Sequence, residues 1–169
     1  KFQDQYSVSL PFADEHRLTL SGIVDRIDSC EIDGKNYIRI VDYKSSRKNI
    51  TPSTLGNGIN LQMLLYLFAA IDKGGIYEGY EPAGVLYSPV KINEVKLENK
   101  KTNILNNTAI NSSFKTSGLV LGNNSVLDAM EKNIGGRFIP VKLDKNGDVD
   151  VKSSCISTDA MIELRNFTY

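Results

Sequence analysis

Hydrophobic positions along the chain follow two rhythms. Residues 6–12 (YSVSLPF) and 16–28 (HRLTLSGIVDRID) carry Leu, Ile and Val in partial two-residue alternation, the pattern of strands with one covered face. Asp33-Gly34 is a tight-turn dipeptide, and 36–44 (NYIRIVDYK) reads as the returning strand. Ser, Arg, Lys, Pro and Gly crowd 45–58, predicting a loop. The rhythm then lengthens: Leu61, Leu64, Leu65 and Phe68 recur at helical spacing, so 59–72 is predicted as helix, stopped by Gly74-Gly75. Residues 82–90 read as a buried strand ending near Pro89. The stretch 91–118, rich in Lys, Asn, Ser and Thr, is predicted as weak helix or a long surface excursion. A short helix at 124–133 capped by Asn124 or Ser125, a hairpin joining 138–143 to 148–152 through Asn146-Gly147, and a helix at 159–167 complete the chain. With no repeat and no dividing linker, residues 1–169 are expected to form one mixed α/β domain.

Composition narrows the chemistry. Lys plus Arg and Asp plus Glu each number 20, so overall charge is not the means of gripping nucleic acid, although a local basic site is allowed. Lys91, Lys96, Lys100 and Lys101 are interrupted by Glu94 and Glu98 and read as a solvated face. No apolar run has the length of a membrane span, so no membrane partner is expected. The single histidine, His16, reads as an ordinary strand residue and leaves no His-based zinc site. Cys30 and Cys155 form no metal-binding or disulfide pattern and read as inert thiols. A bound metal would therefore be held by oxygen, which favours Mg²⁺, Mn²⁺ or Ca²⁺.

The informative stretch runs from Gly22 to Tyr66. Side chains two apart on a strand share a face, so Asp42 and Lys44 point the same way. If Asp33-Gly34 is a two-residue turn, Ile32 faces Lys35, Asp28 faces Arg39, and Asp25 comes opposite Asp42. Their β-carbons would then lie about 4.5–5.5 Å apart, on a face shared with Ile23, Ile27 and Ile40, with Lys44 opposite Ile23. Opposed carboxylates in apolar surroundings repel, and a divalent cation that takes an oxygen from each removes the conflict. Two acids, a cation and an amine suit metal-assisted phosphodiester hydrolysis. On the helix, Gln62 and Tyr66 lie four apart beside the apolar stripe and share a face, so an amide and a phenol could project toward the strand ends.

Gly22-Ile-Val-Asp-Arg-Ile-Asp28, then Ile40-Val-Asp-Tyr-Lys-Ser-Ser46, then Leu61-Gln-Met-Leu-Leu-Tyr66 resemble the PD-(D/E)xK nuclease domain of RecB-like proteins, and more narrowly the C-terminal nuclease domain of the AddB family. Gly118-Leu-Val-Leu121 before a short helix and the hairpin around Ile139-Pro-Val141 extend the likeness over most of the chain. The resemblance implies a restriction-endonuclease-like α/β fold, a mixed central sheet flanked by helices. It implies Asp25, Asp42 and the Tyr43 carbonyl as ligands of Mg²⁺ (or Mn²⁺), Lys44 as the catalytic lysine, and Gln62 and Tyr66 as the supporting pair on the helix. Arg47 and Lys48, close behind the catalytic strand, are candidate DNA phosphate contacts.

The implied activity is exonucleolytic cleavage of a single DNA strand from an unwound duplex. It would take place in the cytoplasm, beside an AddA-like helicase subunit, during recombinational repair of broken ends. The family also places an acid or histidine on a helix upstream, and the AddB branch carries a 4Fe-4S cluster on one upstream and three C-terminal cysteines. Neither Cys30 nor Cys155 matches that pattern, so the chain is expected to be the nuclease core of a longer protein, without its helicase-like region and cluster ligands. Rival readings are a catalytically silent scaffold or DNA clamp, against which the complete Asp-x-Lys triplet speaks, and another RecB-like exonuclease, against which the C-terminal half speaks.

Overall fold

The computed structural model of the chain describes residues 4–11, 17–46, 48, 50, 54–55, 61–90, 113–134, 138–150 and 153–168. Strand β1 (Asp4–Pro11) pairs antiparallel with β2 (Arg17–Val24) as a separate two-stranded sheet. The main sheet has five strands in sequential order: β3 (Arg26–Ile32), β4 (Lys35–Lys44), β5 (Glu81–Pro89), β6 (Ser117–Leu121) and β7 (Cys155–Ile156). The β4–β5 and β6–β7 pairs are parallel, the others antiparallel. Helix α1 (Gln62–Ile71) lies in the crossover between the parallel strands β4 and β5, a connection that a hairpin cannot make. Helices α2 (Asn124–Met130) and α3 (Thr158–Thr168) follow. A mixed sheet covered by helices is the restriction-endonuclease-like α/β architecture that the sequence implied.

Alternation along the strands sorts the core into two layers. Ile38 and Ile40 of β4, Val85 and Tyr87 of β5 and Leu119 and Leu121 of β6 share one face with Leu64, Leu67 and Phe68 of α1 and Met161 of α3. Val41, Leu86 and Val120 point to the other face, against Leu127 of α2, Ile139 and Val141. Leu64, Leu67 and Phe68 are fully buried, and each contributes about 1.5–3 kcal/mol of transfer free energy. An Arg165–Asp72 ion pair ties α3 to the end of α1.

The turn at Asp33-Gly34 has positive φ at both residues, 52° and 73°, the hand that matches strand twist. It sets the register expected from the sequence, with Ile32 facing Lys35 and Asp28 facing Arg39. Three expectations are corrected. The stretch 16–28 is not one strand: the chain bends at Asp25, which separates β2 from β3. The ladder with β4 therefore ends at Arg26–Val41, one step before Asp25 and Asp42 would pair, and Lys44 gains no partner at Ile23, whose side chain is exposed. Helix α2 is capped by Asn123, whose side chain accepts from the Ser125 and Val126 N–H groups, and not by Asn124 or Ser125. The second hairpin forms as expected around Asn146-Gly147, with the Asp144 N–H donating to the Asp148 carbonyl at 2.7 Å and the Asp150 N–H to the Lys142 carbonyl at 2.9 Å beside the Leu143–Val149 bridge, and Asp144 organises its turn. Strand β6 also begins inside the stretch predicted as an excursion, because Leu119, Val120 and Leu121 each find a core. His16 and the lysines at 91, 96, 100 and 101 lie outside the described residues.

Candidate active site

Strand β4 runs between β3 and β5, so its C-terminal end, Asp42-Tyr43-Lys44, is held from both sides until the β3 ladder stops. Past that point the Tyr43 N–H has no strand partner on the β3 side. The side chain of Asp25, at the bend, takes its place: Asp25 Oδ2 accepts from the Tyr43 N–H at 2.9 Å. On the other edge the Lys44 carbonyl accepts from the Val90 N–H at 3.1 Å. Successive residues of a strand turn their amide groups to opposite edges, so the Tyr43 carbonyl faces the same open edge as its N–H, toward Asp25.

Asp42 and Lys44 share the α1 face, as the alternation predicts. Lys44 Nζ stands 2.5 Å from Asp42 Oδ2, with 36% and 17% of the side chains exposed. Yet Oδ2 is buried and makes no hydrogen bond of acceptable geometry. A carboxylate oxygen removed from water is costly unless a charge partner offsets it, and here the Lys44 ammonium is that partner.

Helix α1 reaches β2 through Tyr66. Gln62 Nε2 donates to the Tyr66 hydroxyl at 2.9 Å, leaving the phenolic proton free for another acceptor. A β-carbon built on Gly22 would overlap the Tyr66 hydroxyl and ring. Glycine at position 22 is thus a matter of space: it lets the phenol lie flush on β2, three residues before Asp25. The three sequence segments are linked in space, the first to the second by the Asp25–Tyr43 bond and the third to the first by the Tyr66–Gly22 contact.

On the opposite face of the sheet, Arg26 donates to Asp28 at 2.6 Å and contacts the Tyr43 hydroxyl at 3.5 Å, while Arg39 donates to Asp28 at 2.8 Å. Burial works against the Asp28 charge, but the two guanidiniums outweigh it and hold the carboxyl below its ordinary range. The hydrogen bond to Asp28, then that to Tyr43, raises Arg26. This network steadies the turn of chain on either side of Asp25. Lys48 is exposed, and its carbonyl accepts from the Ser117 hydroxyl; Arg47 lies outside the described residues.

One residue near the site escaped the sequence reading. Tyr87 on β5 is the register partner of Asp42 and lies on the same face. Burial and then the Asp42 charge push its phenol upward. Only the pairing of β4 with β5 brings the two together, and no local motif announces it.

The donors suit a hard divalent cation. Asp42 offers a carboxylate whose Oδ2 is paired with the Lys44 ammonium, Asp25 an oxygen beyond the one used by Tyr43, and the Tyr43 carbonyl faces the same edge as its N–H. Among the described residues no group of three or more His, Cys, Asp or Glu is placed to hold a metal. Mg²⁺ does not require one, since it is held by one or two carboxylates together with water and substrate phosphate. Cys30 is exposed on β3 and Cys155 half-buried on β7; both are free thiols and give no support to an iron–sulfur site here. No helix among the described residues is long and apolar enough to cross a membrane.

Comparison with known proteins gives the same direction. The family profile described as the PD-(D/E)XK nuclease superfamily matches residues 2–133. The chain is 31% identical over 167 residues to an ATP-dependent helicase/deoxyribonuclease subunit of Listeria welshimeri, covering 95% of this chain and 14% of that protein. It is 32% identical over 146 residues to the like-named protein of Oceanobacillus iheyensis, covering 83% and 12%, and 32% identical over 166 residues to that of Clostridium acetobutylicum, covering 94% and 14%. The chain thus spans about one seventh of the length of these relatives.

Proposed function

Because the chain belongs to the PD-(D/E)XK nuclease superfamily, we propose that residues 1–169 are the metal-dependent nuclease domain of a longer, AddB-like protein. It acts in a cytoplasmic helicase–nuclease complex beside an AddA-like partner and cuts a single DNA strand released by unwinding. The observation that carries this reading is the placing of Asp25, Tyr43, Asp42 and Lys44 where the β3–β4 ladder ends: a carboxylate bonded to the strand that bears a second carboxylate and its paired amine.

Asp25, Asp42 and the Tyr43 carbonyl would hold Mg²⁺ or Mn²⁺. When bound, the cation supplies Lewis-acid neutralisation of phosphate charge. The chain's own groups do the positioning. The Asp25–Tyr43 bond fixes the strand end, and Asp42 holds the Lys44 ammonium where it can orient a water and stabilise charge developing on the scissile phosphate. The Gln62–Tyr66 pair presents a phenolic donor that buttresses the site or meets the DNA backbone. Lys48, and with it Arg47, would contact phosphates behind the site. Contacts to phosphate rather than to base edges give weak sequence preference.

The test is nuclease and unwinding activity of the full-length protein with its helicase partner. Asp42→Ala should abolish cleavage and Lys44→Ala should lower it about 10²–10³-fold, with ATP-driven unwinding retained in both. Cleavage by Asp42→Ala at the wild-type rate would overturn the proposal and favour a scaffold role.

A further inference from the structure

Tyr87 stands beside Asp42 on the adjacent strand, and among the described residues no structural task accounts for its hydroxyl. In a parallel pair, residues in register point to the same face, so Tyr87 projects beside Asp42 from the adjacent strand. Its ring packs in the layer formed by Ile40, Val85 and Leu64, and the residue keeps 7% of its surface. Buried tyrosines ordinarily satisfy their hydroxyl within the protein. Among the described residues the Tyr87 hydroxyl makes no such bond. The Tyr87 hydroxyl stands at the tip of a packed ring, on the strand beside the carboxylate of the proposed site. Phenylalanine would fill the same core space, so packing explains the ring and leaves the hydroxyl unexplained.

We propose that the Tyr87 hydroxyl donates a hydrogen bond to a non-bridging phosphate oxygen of the DNA strand lying at Asp42 and Lys44. A phenol is a neutral donor on a rigid stem, and a phosphodiester oxygen is an acceptor only, so the two match in kind and charge. Lys44 approaches from the end of β4 and Tyr87 from β5, so the phosphate is held from two strands. This inference rests on the nuclease reading, and makes Tyr87 a substrate-positioning residue.

The test is single-turnover cleavage of a 5′-labelled oligothymidylate by the full-length protein with Mg²⁺, for wild type, Tyr87→Phe and Asp42→Ala. Tyr87→Phe keeps the ring, so its thermal transition should match the wild type. The half-saturating DNA concentration should rise about tenfold, the loss expected of one hydrogen bond to a charged acceptor. The maximal rate should change less, because the contact is present before the reaction. A half-saturating concentration within twofold of wild type, with Asp42→Ala inactive, would overturn the Tyr87 assignment and leave the nuclease reading standing. Cleavage by Asp42→Ala at the wild-type rate would instead remove the nuclease reading. In either case photocrosslinking of a 4-thiothymidine oligomer, in EDTA, gives an independent readout. Crosslinks to the Glu81–Pro89 strand that weaken in Tyr87→Phe support the contact, and their absence overturns it.

Discussion

The contact between Tyr66 and Gly22 makes a sharp prediction, because it joins the helix segment to the strand that delivers Asp25. A β-carbon at position 22 would overlap the Tyr66 hydroxyl and the carbon that bears it, and would lie 2.8 Å from Cε1. Backbone on β2 is held by its pairing with β1, so the tyrosine has to give way. Forcing one methyl into a packed contact costs about 1–3 kcal/mol. Displacing the phenol also breaks the 2.9 Å bond from Gln62, worth about 1 kcal/mol. Gly22→Ala should therefore lose about 2–4 kcal/mol, or roughly 4–16 °C in Tm for a domain of this size. The assay is thermal unfolding followed by near-ultraviolet circular dichroism on four proteins: wild type, Gly22→Ala, Tyr66→Ala and the double variant. With the ring removed, the added methyl has nothing to strike, so the double variant should be no less stable than Tyr66→Ala alone. That is a coupling of about 2 kcal/mol, well beyond the few tenths seen for independent sites. Strict additivity, or a Gly22→Ala protein as stable as wild type, would show that the phenol does not rest on β2.

Other expectations follow from separate contacts. Asp28 is held below its ordinary range by Arg26 and Arg39 despite partial burial. Its charge therefore stabilises the fold above the unfolded value near 3.9, and that contribution disappears as pH falls through the lower folded value. The Tm gap between wild type and Asp28→Asn should be present at pH 7 and close below pH 3; a gap that widens on acidification would reverse the sign. Glu131 is buried, and its Oε2 accepts from the Phe138 and Ile139 N–H groups at 2.8 Å each. Glu131→Ala should cost about 2–4 kcal/mol in urea unfolding, whereas Glu131→Gln, which keeps an acceptor, should cost less; equal losses would contradict the clamp. Burial raises the Cys155 thiol, and Cys30 is exposed. Ellman's reagent at pH 8 should therefore titrate one fast thiol that Cys30→Ser removes, and two equal rates would contradict that difference.

The parts of the fold that rest on local chemistry were legible in the sequence. The Asp33-Gly34 turn fixes register by itself, so Asp28 opposite Arg39 followed without coordinates. The helix at Gln62–Ile71 followed from its apolar spacing. The break at Asp25 was not legible, because apolar alternation continues from Ile23 through Ile27 across it. What interrupts the ladder is a tertiary arrangement, in which β2 pairs with β1 while β3 pairs with β4. In consequence Asp25 does not face Asp42 as an opposed pair but reaches the main chain of Tyr43. Tyr87 was hidden for a related reason: its neighbour Asp42 lies 45 residues away and is set beside it only by the parallel pairing of β4 with β5.

The nuclease reading stands or falls on whether Asp25 and Asp42 together bind a divalent cation at the end of β4. Crystals of the full-length protein soaked in Mn²⁺, with anomalous differences recorded, address this point. A peak is expected within coordinating distance of an oxygen from each carboxylate and of the Tyr43 carbonyl, and it should be absent in Asp25→Ala. Density for Mn²⁺ elsewhere, with both carboxylates bare, would mean that the two acids do not form a metal site.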